Sequence, residues 1–121
     1  MSVTFTIEQL EAEVASGSID TILIAFPDMQ GRLQGKRFDA GFFLEEVRNH
    51  GTEACSYLLA VDVEMGTVPG YRMSSWDQGY HDFGMQPDLL TLRRVPWHPA
   101  TALLLADLHW NDGSPVAAAP R

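Results

Sequence analysis

The sequence has a single cysteine, Cys55, so no disulfide can form within the chain. Cys55 stands in the apolar run CSYLLAV, where the expected role is a small buried hydrophobe. A lone thiol suits a reducing, cytoplasmic compartment. No apolar run approaches the roughly 20 residues that span a bilayer. The amino end lacks a basic region followed by an apolar stretch, so no signal peptide is expected. Positive charge is scarce: 8 Lys and Arg stand against 16 Asp and Glu, a net charge of -8. That balance speaks against nucleic acid or an anionic membrane surface as a general partner. The sequence has no GxxxxGK[ST], GxGxxG, CxxC or HExxH pattern. Its histidines, His50, His81, His98 and His109, lack the spacing of ligands. Neither a bound cofactor nor a metal is expected in this segment.

What is present reads as one globular domain of 121 residues. Thr6 and Gln9 have capping-box spacing, and Phe5 with Leu10 fits the hydrophobic staple around that cap. Ile7, Leu10 and Val14 then share a helix face, and Gly17 stops the helix. From Ile19 to Phe26 the period changes to that of a strand, apolar on both faces and so expected inside a sheet. Pro27 to Gly31 makes a turn. The segment GRLQGKRF returns as an exposed hairpin strand, whose Arg32, Lys36 and Arg37 form a solvated edge or a contact to an anionic partner. Asp39 can cap a second helix from Ala40 to His50, with Phe42, Phe43 and Val47 as its apolar side. Gly51 ends it. Thr52 to Val63, Leu89 to Val95 and Thr101 to Leu108 read as further strands. Two helices beside a mostly antiparallel or mixed sheet predict an α+β two-layer domain.

The stretch from Val68 to Trp97 is the least regular. It is too apolar for a linker, and loops of such length inside compact domains are usually functional or disordered. Its aromatics Tyr71, Trp76 and Tyr80 argue for order. Its carboxylates include Asp77, Asp82 and Asp88. Asp77 and Asp82 are candidates for accepting a proton or holding a cation, with turn capping as the alternative. His81 beside Asp82 could make an oriented imidazole pair for a small acid–base enzyme. Adjacent residues rarely face each other in a strand, however, and no nucleophile accompanies them.

The run PDLLTLRRVPWHPATALLLADL, with HDF just before it and YLLAVDVEMGTVPGY upstream, resembles the amino-terminal domain of glutamine synthetases. The nearest branch is the type III-like one that includes γ-glutamyl ligases acting on amines and polyamines. The hairpin agrees, through Phe26, Asp28, Gly31, Gly35, Lys36 and Arg37, with Gln34 where the family often has arginine. The closing DLHWNDGSPVAAAPR is similar to the family's passage into its catalytic domain. The resemblance implies a β-grasp domain over residues 1–113 and the start of a linker over 114–121. It implies condensation of glutamate with ammonia or an amine, driven by ATP with Mg2+ or Mn2+ in a catalytic domain absent from this sequence. On that reading the isolated chain is inactive, and the full-length enzyme serves nitrogen metabolism and glutamine biosynthesis. It also implies a homo-oligomer, usually a dodecamer, in which a loop of this domain reaches the neighbouring subunit's amine pocket. The residues assigned to that pocket are Ser75, Trp76, Asp77 and Asp82. Here the loop, YRMSSWDQGY, departs from the family's F-D-G-S-S, and rings at Trp76 and Tyr80 would suit an alkyl amine. The alternative is a stand-alone β-grasp interaction module without catalysis.

Overall fold

A computed structural model describes residues 4–55, 82–116 and 119–121. Helix α1 spans Ile7–Ala15. Its start follows from the capping box: Thr6 Oγ1 accepts from Gln9 N, and Gln9 Oε1 accepts from Thr6 N at 2.7 Å. Strand β1 (Thr21–Pro27) turns into β2 (Leu33–Asp39). Asp39 then caps a helical stretch, α2, made of Ala40–Phe42, a π-helical Phe43–Val47 and Arg48–His50. Strands β3 (Thr52–Cys55), β4 (Asp82–Arg94) and β5 (Thr101–His109) complete the described elements.

The strands form one sheet in the order β2-β1-β5-β4-β3. Neighbours run antiparallel except β1 and β5, which run parallel from Thr21↔Thr101 to Ala25↔Leu105. This is the mixed sheet of an α+β two-layer, β-grasp-like domain. α2 carries the chain from the β2 edge to the β3 edge across one sheet face. That face holds the core: Ile22, Ile24 and Phe26 of β1, Leu104 of β5, and Phe83 and Met85 of β4 bury against Leu10, Phe43 and Val47. The opposite face carries a smaller apolar group, Ala25, Val95 and Leu103 with Leu23 beside them. No helix among the described residues is long and apolar enough to cross a membrane.

Three expectations need correction. The stretch from Val68 to Trp97 is not loop throughout, because its later half is strand from Asp82. Phe83, Met85 and Pro87 alternate inward there, which is the period of a half-buried strand. Pro87 is accommodated because β3 stops at Thr52↔Met85, so β4 has one neighbour at that point. Next, the strand expected at Leu89 opens with a bulge between Asp88 and Arg93, leaving Leu90 86% exposed. Thr91 repairs the ladder: its hydroxyl accepts from Leu105 N at 2.8 Å and donates to Asp88 O at 2.7 Å. Lastly, Phe42 is not core. It is half exposed and stacks on Phe38, with ring centroids 6.4 Å apart. The expected course of the third strand beyond Cys55, to Val63, lies outside the described residues, as does the side chain of Cys55.

The β1–β2 hairpin is tight at Gly35, which pairs with Ala25. A Cβ at Gly35 would lie 2.0 Å from Ile24 O and 2.8 Å from Ala25 Cα. Both are backbone atoms, so the strands themselves would have to part. Gly35→Ala should therefore cost about 2 kcal/mol of stability, in the range of overpacked sites. Chemical denaturation of the two proteins checks this, and equal midpoints would show that β2 yields without strain.

Candidate functional site

Sheet topology decides which residues can act together. Because β1 and β5 are parallel, their carboxyl ends reach the same end of the sheet. β1 leads there into the turn at Asp28 to Arg32. β5 ends there at His109, paired with Gly84 near the start of β4. Cys55, the last residue of β3, pairs with Asp82, the first of β4. Directly opposed antiparallel residues sit about 5 Å apart at Cα. Cys55 and Asp82, which flank segment 56–81, thus stand side by side at the end that carries both turns.

Of the residues read from sequence as pocket-forming, Asp82 is exposed at the first position of β4. Ser75, Trp76 and Asp77 lie outside the described residues. Below Asp82 the floor is aromatic. Phe83 packs edge-on against Phe26 at 5.5 Å and against Trp110 at 6.3 Å. These contacts tie the start of β4 to the end of β1 and to the turn after β5. Beside them the His109 ring lies across Gly84, where a Cβ would be 2.3 Å from Nε2. At that turn, Asp112 accepts from Ser114 N at 2.9 Å and Ser114 Oγ at 2.5 Å. The hydroxyl contact leads in holding the Asp112 carboxyl below its ordinary value.

The best-organised group at this end is one the sequence read only as part of a turn. Asp28 is 2% exposed. Its Oδ1 accepts from Gln30 N at 2.8 Å and Arg32 N at 2.9 Å. Its Oδ2 accepts from Arg32 Nε at 2.9 Å and Gln34 Nε2 at 2.8 Å. Its backbone closes the turn as well, with Asp28 N donating to Arg32 O at 2.7 Å. Burial pushes this carboxyl up, but the bonds from Gln34, Arg32 and Gln30 together outweigh it and hold the group below its ordinary 3.8. The signal was in the sequence: an aspartate with guanidinium and amide donors four and six residues on, respectively. Among the described residues, no group of three His, Cys, Asp or Glu is placed to hold a metal ion.

The Asp28 carboxylate has consequences for stability and its pH dependence. In Asp28→Asn one oxygen still serves Gln30 and Arg32 N, while the new NH2 faces two donors. The variant should lose about 2–3 kcal/mol at neutral pH, the cost of an unmet buried polar group. A depressed carboxyl stabilises the fold above its unfolded pKa and loses that contribution as pH falls through the folded value. The gap between wild type and variant should therefore narrow below about pH 4. Denaturation midpoints across pH check this, and a gap independent of pH would remove the charge from the explanation.

No family model matches the chain. Individual proteins do. The chain is 67% identical over 115 residues to the gamma-glutamylethanolamide synthetase GlnA4 of Streptomyces coelicolor, an alignment that covers 95% of this chain and 25% of that protein. It is 38% identical over 104 residues to a glutamate–isopropylamine ligase of Pseudomonas sp., covering 86% of this chain and 23% of the relative. A solved structure described as a novel glutamine synthase homolog superposes with a TM-score of 0.68 at 21% identity, over 84% of this chain and 24% of that one. That last likeness bears on fold alone. The chain spans about a quarter of the length of the curated relatives it matches. Near-complete alignment at 67% identity, on a fold shared with a solved homologue, places the chain in the glutamine synthetase family, as its amino-terminal domain.

Proposed function

We propose that the chain is the amino-terminal part of a glutamate–amine ligase, and that segment 56–81 completes the amine pocket of a neighbouring subunit. The observation that carries this is the 67% identity to a gamma-glutamylethanolamide synthetase across 95% of the chain. The second relative is a ligase for another small alkyl amine, isopropylamine. The substrate class proposed is accordingly a small alkyl or hydroxyalkyl amine rather than a polyamine. In such a reaction ATP phosphorylates the γ-carboxyl of glutamate, and the amine then displaces phosphate to leave an amide.

The described residues offer no group of three metal donors, so no step is assigned to a metal here. ATP, glutamate and Mg2+ or Mn2+ would be held by the remaining three quarters of the polypeptide. This domain's contribution would be shape and charge. The exposed carboxylate of Asp82 stands at the start of β4, directly after segment 56–81 in the chain. An ammonium group favours such a carboxylate, and the alkyl part favours ring faces such as Trp76. Ser75 and Asp77 would complete the polar wall. The assembly would be a cytoplasmic homo-oligomer, a dodecamer by family resemblance.

The test uses the full-length polypeptide. ADP release should require glutamate together with ethanolamine or a similar small amine, and the 121-residue chain alone should give none. If the full-length protein turns over with ammonia only, the amine assignment fails. Asp77→Asn should then raise KM for the amine about tenfold, a loss of ~1.4 kcal/mol, and shift KM for ATP by less than about twofold. Equal shifts for both substrates would take Asp77 out of the pocket.

A further inference from the structure

The bulge in β4 aims a carboxylate. Leu90 N donates to Asp88 Oδ1 at 3.0 Å, and the Thr91 hydroxyl donates to Asp88 O at 2.7 Å. Bulges re-aim side chains in this way. With Oδ1 held by the bulge, Asp88 Oδ2 accepts from Arg121 Nη2. The same guanidinium reaches Asp107 of β5 through Nε, at 3.1 Å. Asp88 opposes Leu105, so Asp107 is its diagonal neighbour on one sheet face. Diagonal neighbours lie about 7–8 Å apart, and two carboxylates there repel unless a cation stands between them. An arginine suits that place, since its planar fork offers donors to two acceptors at once.

The chain that leads to Arg121 is itself tied down. Gly113 N donates to Trp110 O at 2.9 Å, and Trp110 N donates to Ser114 O at 2.8 Å. Pro115 bridges to His109, and Val116 N donates to Leu108 O at 3.2 Å. Val116 is buried in the main core, and Ala119 packs against that core. The core lies on the helix side of the sheet, whereas Asp88 and Asp107 lie on the other side. One anchor would let the chain pivot; a second on the opposite side removes that freedom. We propose that Asp88, Asp107 and Arg121 form a clasp that fixes the direction in which the polypeptide leaves this domain, and that Arg121 is thereby a positioning residue for use of the amine. The second half of this proposal rests on the proposed function. On that reading ATP and glutamate are held by the polypeptide that follows, while this domain supplies a wall of the amine site. A change in the direction of exit displaces that wall and leaves the nucleotide site as it is.

Two readouts on the full-length protein test it. The first is amide hydrogen exchange in the peptide from Gly113 to Arg121. Arg121→Gln should speed that exchange about tenfold and leave exchange in β1 and β5 unchanged. The second is ADP release with glutamate and ethanolamine. Arg121→Gln should raise KM for the amine about fivefold and shift KM for ATP by less than about twofold. Asp88→Asn should act in the same direction. Asp88→Asn combined with Arg121→Gln should be no worse than Arg121→Gln alone, because the partner is already gone. Unchanged exchange in Arg121→Gln, equal rises in KM for amine and ATP, or effects of the two substitutions that multiply would each overturn the proposal. A wild-type protein that releases no ADP with any amine defeats the ligase reading instead, and the exchange result then decides the clasp by itself.

Discussion

The parallel course of β1 and β5 is the constraint on which the rest of this domain depends. It is the one parallel pair among the described strands, from Thr21↔Thr101 to Ala25↔Leu105. A parallel pair cannot be joined by a tight turn, so everything between the two strands must travel away and return. β2, α2, β3 and β4 make that journey, and α2 makes the crossing. Because both central strands point the same way, the turns that follow them gather at one end of the sheet. The antiparallel edge pair β3–β4 then adds the two roots of segment 56–81 at that same end. A site can be assembled there from chain regions far apart in sequence, without any of them being catalytic.

Charge does two different jobs in this chain. The pairs Arg48–Glu11 at 2.7 Å and Arg94–Glu13 at 2.9 Å tie α1 to α2 and to β4. Arg121 meets Asp88 and, at 3.1 Å, Asp107, joining two strands on the sheet face opposite the helices. All these groups are partly exposed, and such pairs contribute at most about 1 kcal/mol each. They orient more than they stabilise. Asp28 is the exception. Its charge is buried, so its full complement of donors is a requirement rather than an embellishment. That requirement fixes the Asp28–Arg32 turn in one conformation and delivers Gln34 and Arg32 to defined places at the rim.

How much of this was legible in the sequence depended on whether the cause was local. The cap at Thr6 and the stop at Gly51 were legible, because they follow from side-chain reach and backbone freedom within a few residues. So were the inner positions of β1 and β5, whose residues are apolar on both faces. β4 was misread because Gly84 and Pro87 look like loop formers. Gly84 is there for the His109 ring, and Pro87 survives because β3 begins only opposite Met85; both are facts about partners distant in the chain. Phe42 was assigned to the core on helical period alone, and the π-helical turn at Phe43–Val47 changes that period. Asp28 was placed in its turn correctly, but its burial could not be inferred without knowing what covers it. Of the candidate pocket residues only Asp82 falls among the described ones, exposed at the first position of β4.

The roots of segment 56–81 also show how a small domain can position a segment well from the edge of its sheet. Among the described residues β3 pairs with β4 from Thr52 to Cys55. What holds the roots is the row beneath them: Phe83 and Met85 fully buried, Ala54 nearly so, and Phe83 clamped between Phe26 and Trp110. The edge pair is therefore anchored in the centre of the domain as well as in its own ladder. Under the proposed function this matters, since misplacement by an ångström can cost about a hundredfold in rate. The aromatic packing lies under the residues that flank segment 56–81, and Asp82 stands exposed at the surface above it.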